Sequence, residues 1–242
     1  MFKPQNNISA NCWANSLAQA LYAQPHIHDY LDSKYGYTNN FGIAINNATL
    51  HHSGQQCAHE AFQIFVERAE QPIQQLFEMV TENINTCING HKSHIRDNSY
   101  FLLFPTIPPP TQSLNDYLVK RNPSISGAIC DTCSHPIRDR SEILRRVSKI
   151  ITIVLDKFTL KTLTTFPHIL DIPTHPPQTK LQYELTAVVE HSGCAYSGHY
   201  WAICKDFTTS DWYVCNDTSI SRLPHQPQPS PESYLLFYSQ VA

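Results

Sequence analysis

Two residues stand where nucleophilic catalysis would need them. Cys12 follows Asn11, a good helix-capping residue, and leads into Trp13, Leu17, Ala20 and Leu21 at helical spacing. The spacing predicts that this cysteine opens a helix. The unpaired amides and partial positive charge there favour thiolate over thiol, and the thiolate is the nucleophile. The same amides can hold an oxyanion. The plainer alternative is a cysteine packed as a small hydrophobe. A thiol nucleophile needs a base and a group that orients the base. Among the 13 histidines, His199 is the best placed, because it follows the glycine-flanked stretch HSGCAYSG and begins a strand, at the rim of a sheet. A hairpin turning near Thr208 brings Asn216 beside it on the next strand. Asn216 can accept from one ring nitrogen while the other faces Cys12. Asp217, one residue further, can assist or take that role, and Asn216-Asp217 also suits an ordinary turn.

The elements that would position these groups change character along the chain. A helix is predicted from Asn11 towards Tyr30, ended or bent by Pro25. Residues 35–54 read as mostly loop, Gln56–Ala69 as an amphipathic helix, and Pro72 as the start of another with Ile73, Leu76, Phe77 and Val80 on one face. After a proline-rich connector at Pro105–Pro110 and a short helix at Leu114–Val119, strands take over. Ile150–Leu155 is continuous and β-branched, as in a strand buried on both faces. Pro167–Pro177 reads as loop, and 181–190 alternates with period two. His199–Lys205, Trp212–Cys215 and Ser233–Tyr238 are further short strands. Helices first and strands last predict an α+β protein, a helical lobe against a sheet lobe.

Composition excludes other classes. In 242 residues, 41% are hydrophobic and 15% charged, which supports a core and excludes a charge-rich disordered chain. The net charge of −3 lacks a dense basic stretch, so nucleic acid is not an expected partner. No apolar run reaches membrane-spanning length and the N-terminus has no apolar signal core, so a non-membrane, intracellular protein of the cytoplasm or nucleus is expected. The eight cysteines are then free, catalytic or metal-bound.

Taken together, these stretches resemble the ubiquitin-specific protease family. NISANCWANSLAQALY, Asn7 to Tyr22, is similar to its cysteine box, QQCAHEAF to its glutamine-rich box, IITIVLDKF to a palm strand, and YELTAVVEHSGCAYSGHYWAICKD to its histidine box; WYVCND and SYLLFY follow in order. The resemblance implies a papain-like fold shaped as a hand, with a helical thumb, an antiparallel sheet palm and short zinc-braced fingers. It implies a single catalytic domain over residues 1–242, the thumb about 1–85 and fingers and palm about 86–242. It also implies an oxyanion donor at Asn7, five residues before the nucleophile. The expected activity is hydrolysis after the terminal glycine of ubiquitin or a ubiquitin-like modifier, through a thioester on Cys12, by a compact and monomeric enzyme. A papain-like protease processing a polyprotein and an inactive ubiquitin-binding module of the same fold are the alternatives.

Three departures from the family pattern stand out. Cys57 replaces an acidic residue that in the family helps hold ubiquitin's basic tail, with Glu60 as a nearby substitute. One of two CxxC pairs, Cys130-Asp131-Thr132-Cys133, is intact, whereas the other reads Cys87-Ile88-Asn89-Gly90-His91. A zinc site of Cys87, His91, Cys130 and Cys133 is expected, ahead of His94 or His135 as the nitrogen ligand, with a metal-free relic as the alternative. The short interval between these clusters implies small fingers.

Overall fold

The computed structural model describes residues 2–7, 10–50, 54–104, 114, 118, 127–155, 165–173, 180–194 and 197–241. The first lobe is built around α1 (Cys12–Tyr22), whose residues from Cys12 to Leu21 are all buried. Small and apolar side chains on every side let neighbours approach from all directions, so this helix is the centre of the lobe. It stops before Pro25, and α2 (His28–Tyr35) follows, ending at Gly36 with a φ of 64°. The continuous helix expected towards Tyr30 is thus two helices.

Residues 35–54, expected to be mostly loop, contain a helix among their turns. α3 (Phe41–Ala48) lies within them, burying Phe41, Gly42 and Ile45. Its asparagines obscure the apolar spacing, and tertiary packing decides the matter: a Cβ added to Gly42 would collide with Asn15 of α1. α4 (Ala58–Arg68) and α5 (Gln71–Phe77) complete the helices. Val80, expected on the face of α5, belongs instead to β1 (Met79–Cys87).

β1 pairs with β2 (Lys92–Ser99) and β4 (Ile137–Arg146) in a three-stranded sheet. β2 is exposed along most of its length, so no hydrophobic alternation marks it in the sequence. Cross-strand ion pairs hold this sheet, with Arg96 and Arg145 both on the buried Glu82 carboxylate.

The larger sheet comprises β3 (Leu102–Phe104), β5 (Ile150–Leu155), β6 (Ile169–Pro173), β7 (Lys180–Cys194), β8 (Ser197–Lys205), β9 (Trp212–Asn216), β10 (Ser219–Leu223) and β11 (Ser233–Gln240), ordered β10-β9-β8-β7-β11-β5-β3 with β6 on β7. β6 runs through the stretch expected to be loop. Of the short helix expected at 114–119, only Leu114 and Leu118 are described, both helical and buried, and the connector 105–110 lies outside the described residues. β5 is buried throughout, with Ile150 and Val154 towards the helices and Ile151, Ile153 and Leu155 towards a second core behind the sheet. This two-sided burial explains its unbroken apolar run. β7 alternates in sequence but not in burial, because its polar members find partners inside. Thr186 Oγ1 lies 2.8 Å from Gln24 Oε1, and Glu190 accepts from Ser233 Oγ at 2.9 Å. Among the described residues, no helix is long and apolar enough to cross a membrane.

Candidate active site and metal centre

Cys12 is the first residue of α1 and is buried. Asn11 occupies the capping position without capping through its side chain; its Nδ2 instead donates to Asn15 Oδ1 at 3.2 Å. Burial pushes the Cys12 thiol above its ordinary pKa. The amides of Tyr200, Trp13 and Cys12 pull the other way, while the Asp217 charge adds to the rise. The expected lowering by the helix terminus is therefore overturned, because lost hydration outweighs the surrounding amides. The amides of Tyr200, Trp13 and Cys12 face the sulfur, and nucleophilic attack needs a base to take the thiol proton.

β8 packs against α1 and carries His199 next to Tyr200, whose amide reaches the Cys12 sulfur. The His199 ring is 42% exposed, and its Nε2 lies 2.7 Å from Asn216 Oδ1. Nε2–H donates to that oxygen, which leaves Nδ1 as the nitrogen available to a thiol. The strand register explains the pairing. Ala202 faces Cys215 and Cys204 faces Tyr213, so continuing the ladder puts Asn216 opposite Trp201 and diagonal to His199 on the same face. The hairpin turns between Thr208 and Thr209, close to the expected centre. The HSGCAYSG stretch is not an open loop: β7 runs to Cys194 and β8 starts at Ser197, with Ser192 paired to His199.

Asp217 lies 4.0 Å from His199 Nε2, further than Asn216. It occupies the two-residue turn between β9 and β10 at a φ of 48°. Its Oδ2 accepts from Asn7 Nδ2 and its Oδ1 from Asn15 Nδ2, each at 2.7 Å. Asn7 Oδ1 in turn accepts the Asn11 amide at 3.1 Å, so the Asn7 carboxamide is held from both ends. Asn7, His199, Asn216 and Asp217, predicted from distant parts of the chain, are thus joined by side-chain contacts, and Cys12 meets the amide of Tyr200, the residue after His199. The sequence reading missed Asn15 and Tyr200. Asn11, Asn15 and Gln19 recur at one-turn spacing, a local signal of a polar stripe on α1, and Tyr200 acts through a main-chain amide that residue type cannot reveal.

The second cluster forms where β1 turns into β2. Gly90, with a φ of 84°, closes the turn that carries Cys87 and His91. A second turn, tied by the Ser134 amide to the Cys130 oxygen, carries Cys130 and Cys133. One ligand atom from each of the four lies within 4.8 Å of the others. Cys87 Sγ is 3.7 Å from His91 Nδ1 and 3.8 Å from Cys133 Sγ, and Cys130 Sγ is 4.0 Å from His91 Nδ1. Tetrahedral zinc with Zn–S bonds of about 2.3 Å needs ligand edges of about 3.8 Å, so these donors fit such an ion. The amides of Cys133 and Thr132 lower the Cys130 thiol to about 6, although burial opposes them. His94 instead faces Glu82 at 3.6 Å, and His135 Nδ1 lies 2.7 Å from the Cys133 oxygen.

The chain matches the family described as ubiquitin carboxyl-terminal hydrolase over residues 43–238, a match that begins beyond Cys12. Ubiquitin carboxyl-terminal hydrolase 26 of Arabidopsis thaliana is 26% identical over 279 residues, covering 91% of this chain and 26% of the relative. Ubiquitin carboxyl-terminal hydrolase 2 of Homo sapiens is 28% identical over 195 residues, covering 72% of this chain and 32% of the relative. The chain therefore spans about a quarter to a third of these relatives' lengths. Among solved structures, the SAGA Ubp8/Sgf11/Sus1/Sgf73 DUB module bound to ubiquitin aldehyde superposes with a TM-score of 0.79 at 17% identity, covering 100% of this chain and 70% of that one.

Proposed function

The chain belongs to the ubiquitin carboxyl-terminal hydrolase family, and we propose that it is a deubiquitinating cysteine protease of the ubiquitin-specific type. It cleaves the isopeptide or peptide bond after the C-terminal glycine of ubiquitin or a ubiquitin-like modifier. The observation that carries this reading is the 2.7 Å contact from His199 Nε2 to Asn216 Oδ1 on a strand whose next amide meets the Cys12 sulfur. That contact sets the imidazole tautomer and leaves Nδ1 to serve the thiol.

In this reading Cys12 Sγ attacks the glycine carbonyl carbon as its proton passes to His199 Nδ1. The carbonyl oxygen takes the negative charge and is held by the Asn7 carboxamide and the amide at the start of α1. The C–N bond then breaks, and the leaving amine takes the proton from His199. Water, deprotonated by the same imidazole, attacks the thioester carbon; the C–S bond breaks, the modifier leaves with a free C-terminal carboxylate, and the Cys12 sulfur takes a proton back from His199. Asn216 orients the base, and Asp217 keeps Asn7 turned for its task. Cys87, His91, Cys130 and Cys133 hold a structural zinc that staples the short finger sheet and takes no part in bond cleavage. The domain is proposed as one catalytic unit over residues 1–242, acting as a monomer inside the cell, without nucleic acid or membrane as partner.

Cys12→Ser or Cys12→Ala is expected to abolish cleavage of a fluorogenic ubiquitin substrate while the protein stays folded. Undiminished turnover would move the nucleophile elsewhere, and failure of the unmodified chain to cleave any such substrate would favour the binding-module reading.

A further inference from the structure

We infer that Gln5 is a positioning residue for the proposed reaction: it pegs the segment 2–7 against the turn that carries Asp217 and so aims the Asn7 carboxamide at the oxyanion. The inference rests on the deubiquitinase reading and adds to it the group that sets the oxyanion donor.

Asn7 belongs to no helix or strand, so its aim depends on what ties down the chain before it. Gln5, two residues earlier, is fully buried, and a buried carboxamide needs partners for both its oxygen and its nitrogen. It has them. Gln5 Oε1 accepts the Gly42 amide at 2.9 Å, and Nε2 donates to the main-chain oxygens of Thr38 and Lys3, each at 3.0 Å. The Gln5 amide donates to the Asp217 main-chain oxygen at 2.7 Å. One residue thus joins the segment 2–7 to α3 on one side and to the turn beside Asn216 on the other.

These bonds close a circuit around the site. Gly42 is the second residue of α3, where amides have no partner within the helix. Asn40, at the capping position, makes no side-chain cap, and Gln5 supplies an acceptor from outside the helix. Gly42 lies against Asn15, which donates to one carboxylate oxygen of Asp217; Asn7 donates to the other, and Gln5 holds the main chain of the same aspartate. A leucine at position 5 fills the buried space but offers neither acceptor nor donor. The Gly42 amide and the Thr38 oxygen then lose a buried partner, so the segment shifts to relieve them. The Gln5–Asp217 main-chain bond and the orientation of Asn7 move with it. Asn6, by contrast, reaches Asn40 through an exposed side-chain bond.

The test is a double-mutant cycle of Gln5→Leu and Asn7→Ala on a fluorogenic ubiquitin substrate. Gln5→Leu alone is expected to lower kcat about ten- to a hundredfold, the scale of a misplaced oxyanion donor. KM and the rate of Cys12 alkylation by iodoacetamide at pH 7 are expected to stay within about threefold of wild type, because neither depends on the donor. In the Asn7→Ala background the same substitution is expected to lower kcat by less than about threefold, since the group it positions is gone. Asn6→Ala is expected to stay within about threefold of wild type, as befits loss of an exposed bond. The inference is overturned if Gln5→Leu leaves kcat within that range, if the two losses multiply, if alkylation falls in step with kcat, or if Asn6→Ala matches Gln5→Leu. Gln5→Met, unbranched, takes the place of Gln5→Leu should the latter not fold. Failure of both to fold also overturns it, since Gln5 is then a folding peg. Absence of cleavage by the wild-type chain removes the deubiquitinase reading and the inference with it, an outcome read before any variant is made.

Discussion

Asp217→Asn separates two things that a simple loss of catalysis would merge. The aspartate carboxylate accepts two hydrogen bonds at once, from Asn7 and from Asn15, each at 2.7 Å. An asparagine fits the same space and tolerates the same left-handed backbone, the φ of 48° seen here. It has one acceptor oxygen instead of two, so one partner must face an amide NH2. Asn15 is buried at 2% exposure, whereas Asn7 is exposed. Leaving the buried donor unsatisfied costs more, so the new oxygen turns to Asn15 and the new NH2 meets Asn7. The Asn7 carboxamide must then rotate away from the orientation its two present bonds impose.

A hydrogen bond to a charged group is worth about 1.5–3 kcal/mol, so losing this orientation should lower kcat on a fluorogenic ubiquitin substrate by about 10- to 150-fold. The nucleophile should respond in the opposite sense. The negative charge of Asp217 helps to raise the Cys12 pKa, and its removal lowers that pKa, so more thiolate forms at neutral pH. Alkylation of Cys12 by iodoacetamide at pH 7 should therefore be as fast as in wild type or faster, while turnover falls. A parallel loss of alkylation and turnover would mean that Asp217 acts by holding the site together, and unchanged turnover would remove Asn7 from the oxyanion role.

Three further outcomes are expected. Because burial raises the Cys12 thiol above its ordinary value, His199→Ala should nearly abolish alkylation at pH 7 and recover it only as the pH climbs past the ordinary thiol range, read from the pH profile of iodoacetamide labelling. A methyl group at position 198 would run into the Ser192 main-chain oxygen and the His191 ring. Gly198→Ala should thus cost about 1–3 kcal/mol and lower Tm by roughly 3–10 °C, with a loss of turnover on the order of a hundredfold from the displaced neighbouring His199; calorimetry with wild-type Tm and rate would contradict it. Elemental analysis should find about one zinc per chain, and its removal by a chelator should lower Tm, because four donors spaced for a tetrahedral ion repel or scatter without it. A metal-free chain with unchanged Tm would identify the cluster as a relic.

What could be read from the sequence was whatever depends on short spacing. Cys12 at a helix start needs only a capping residue and a few apolar residues behind it. β5 needs only a β-branched run, and the pairing of His199 with Asn216 follows from hairpin arithmetic to within one residue of register. Elements that form only because something packs on them were not legible. α3 exists because Gly42 lets its backbone approach Asn15, and β2 because β1 offers it a ladder, although neither carries a strong pattern of its own. The direction in which the Cys12 pKa moves likewise depends on tertiary contacts. A helix terminus predicts a lowered thiol, but the desolvation that raises it comes from β8 and the surrounding core, residues nearly two hundred positions away. Residue types and local order specify which groups take part in the site; burial and charge around them, set by contacts distant in sequence, determine the state in which those groups rest.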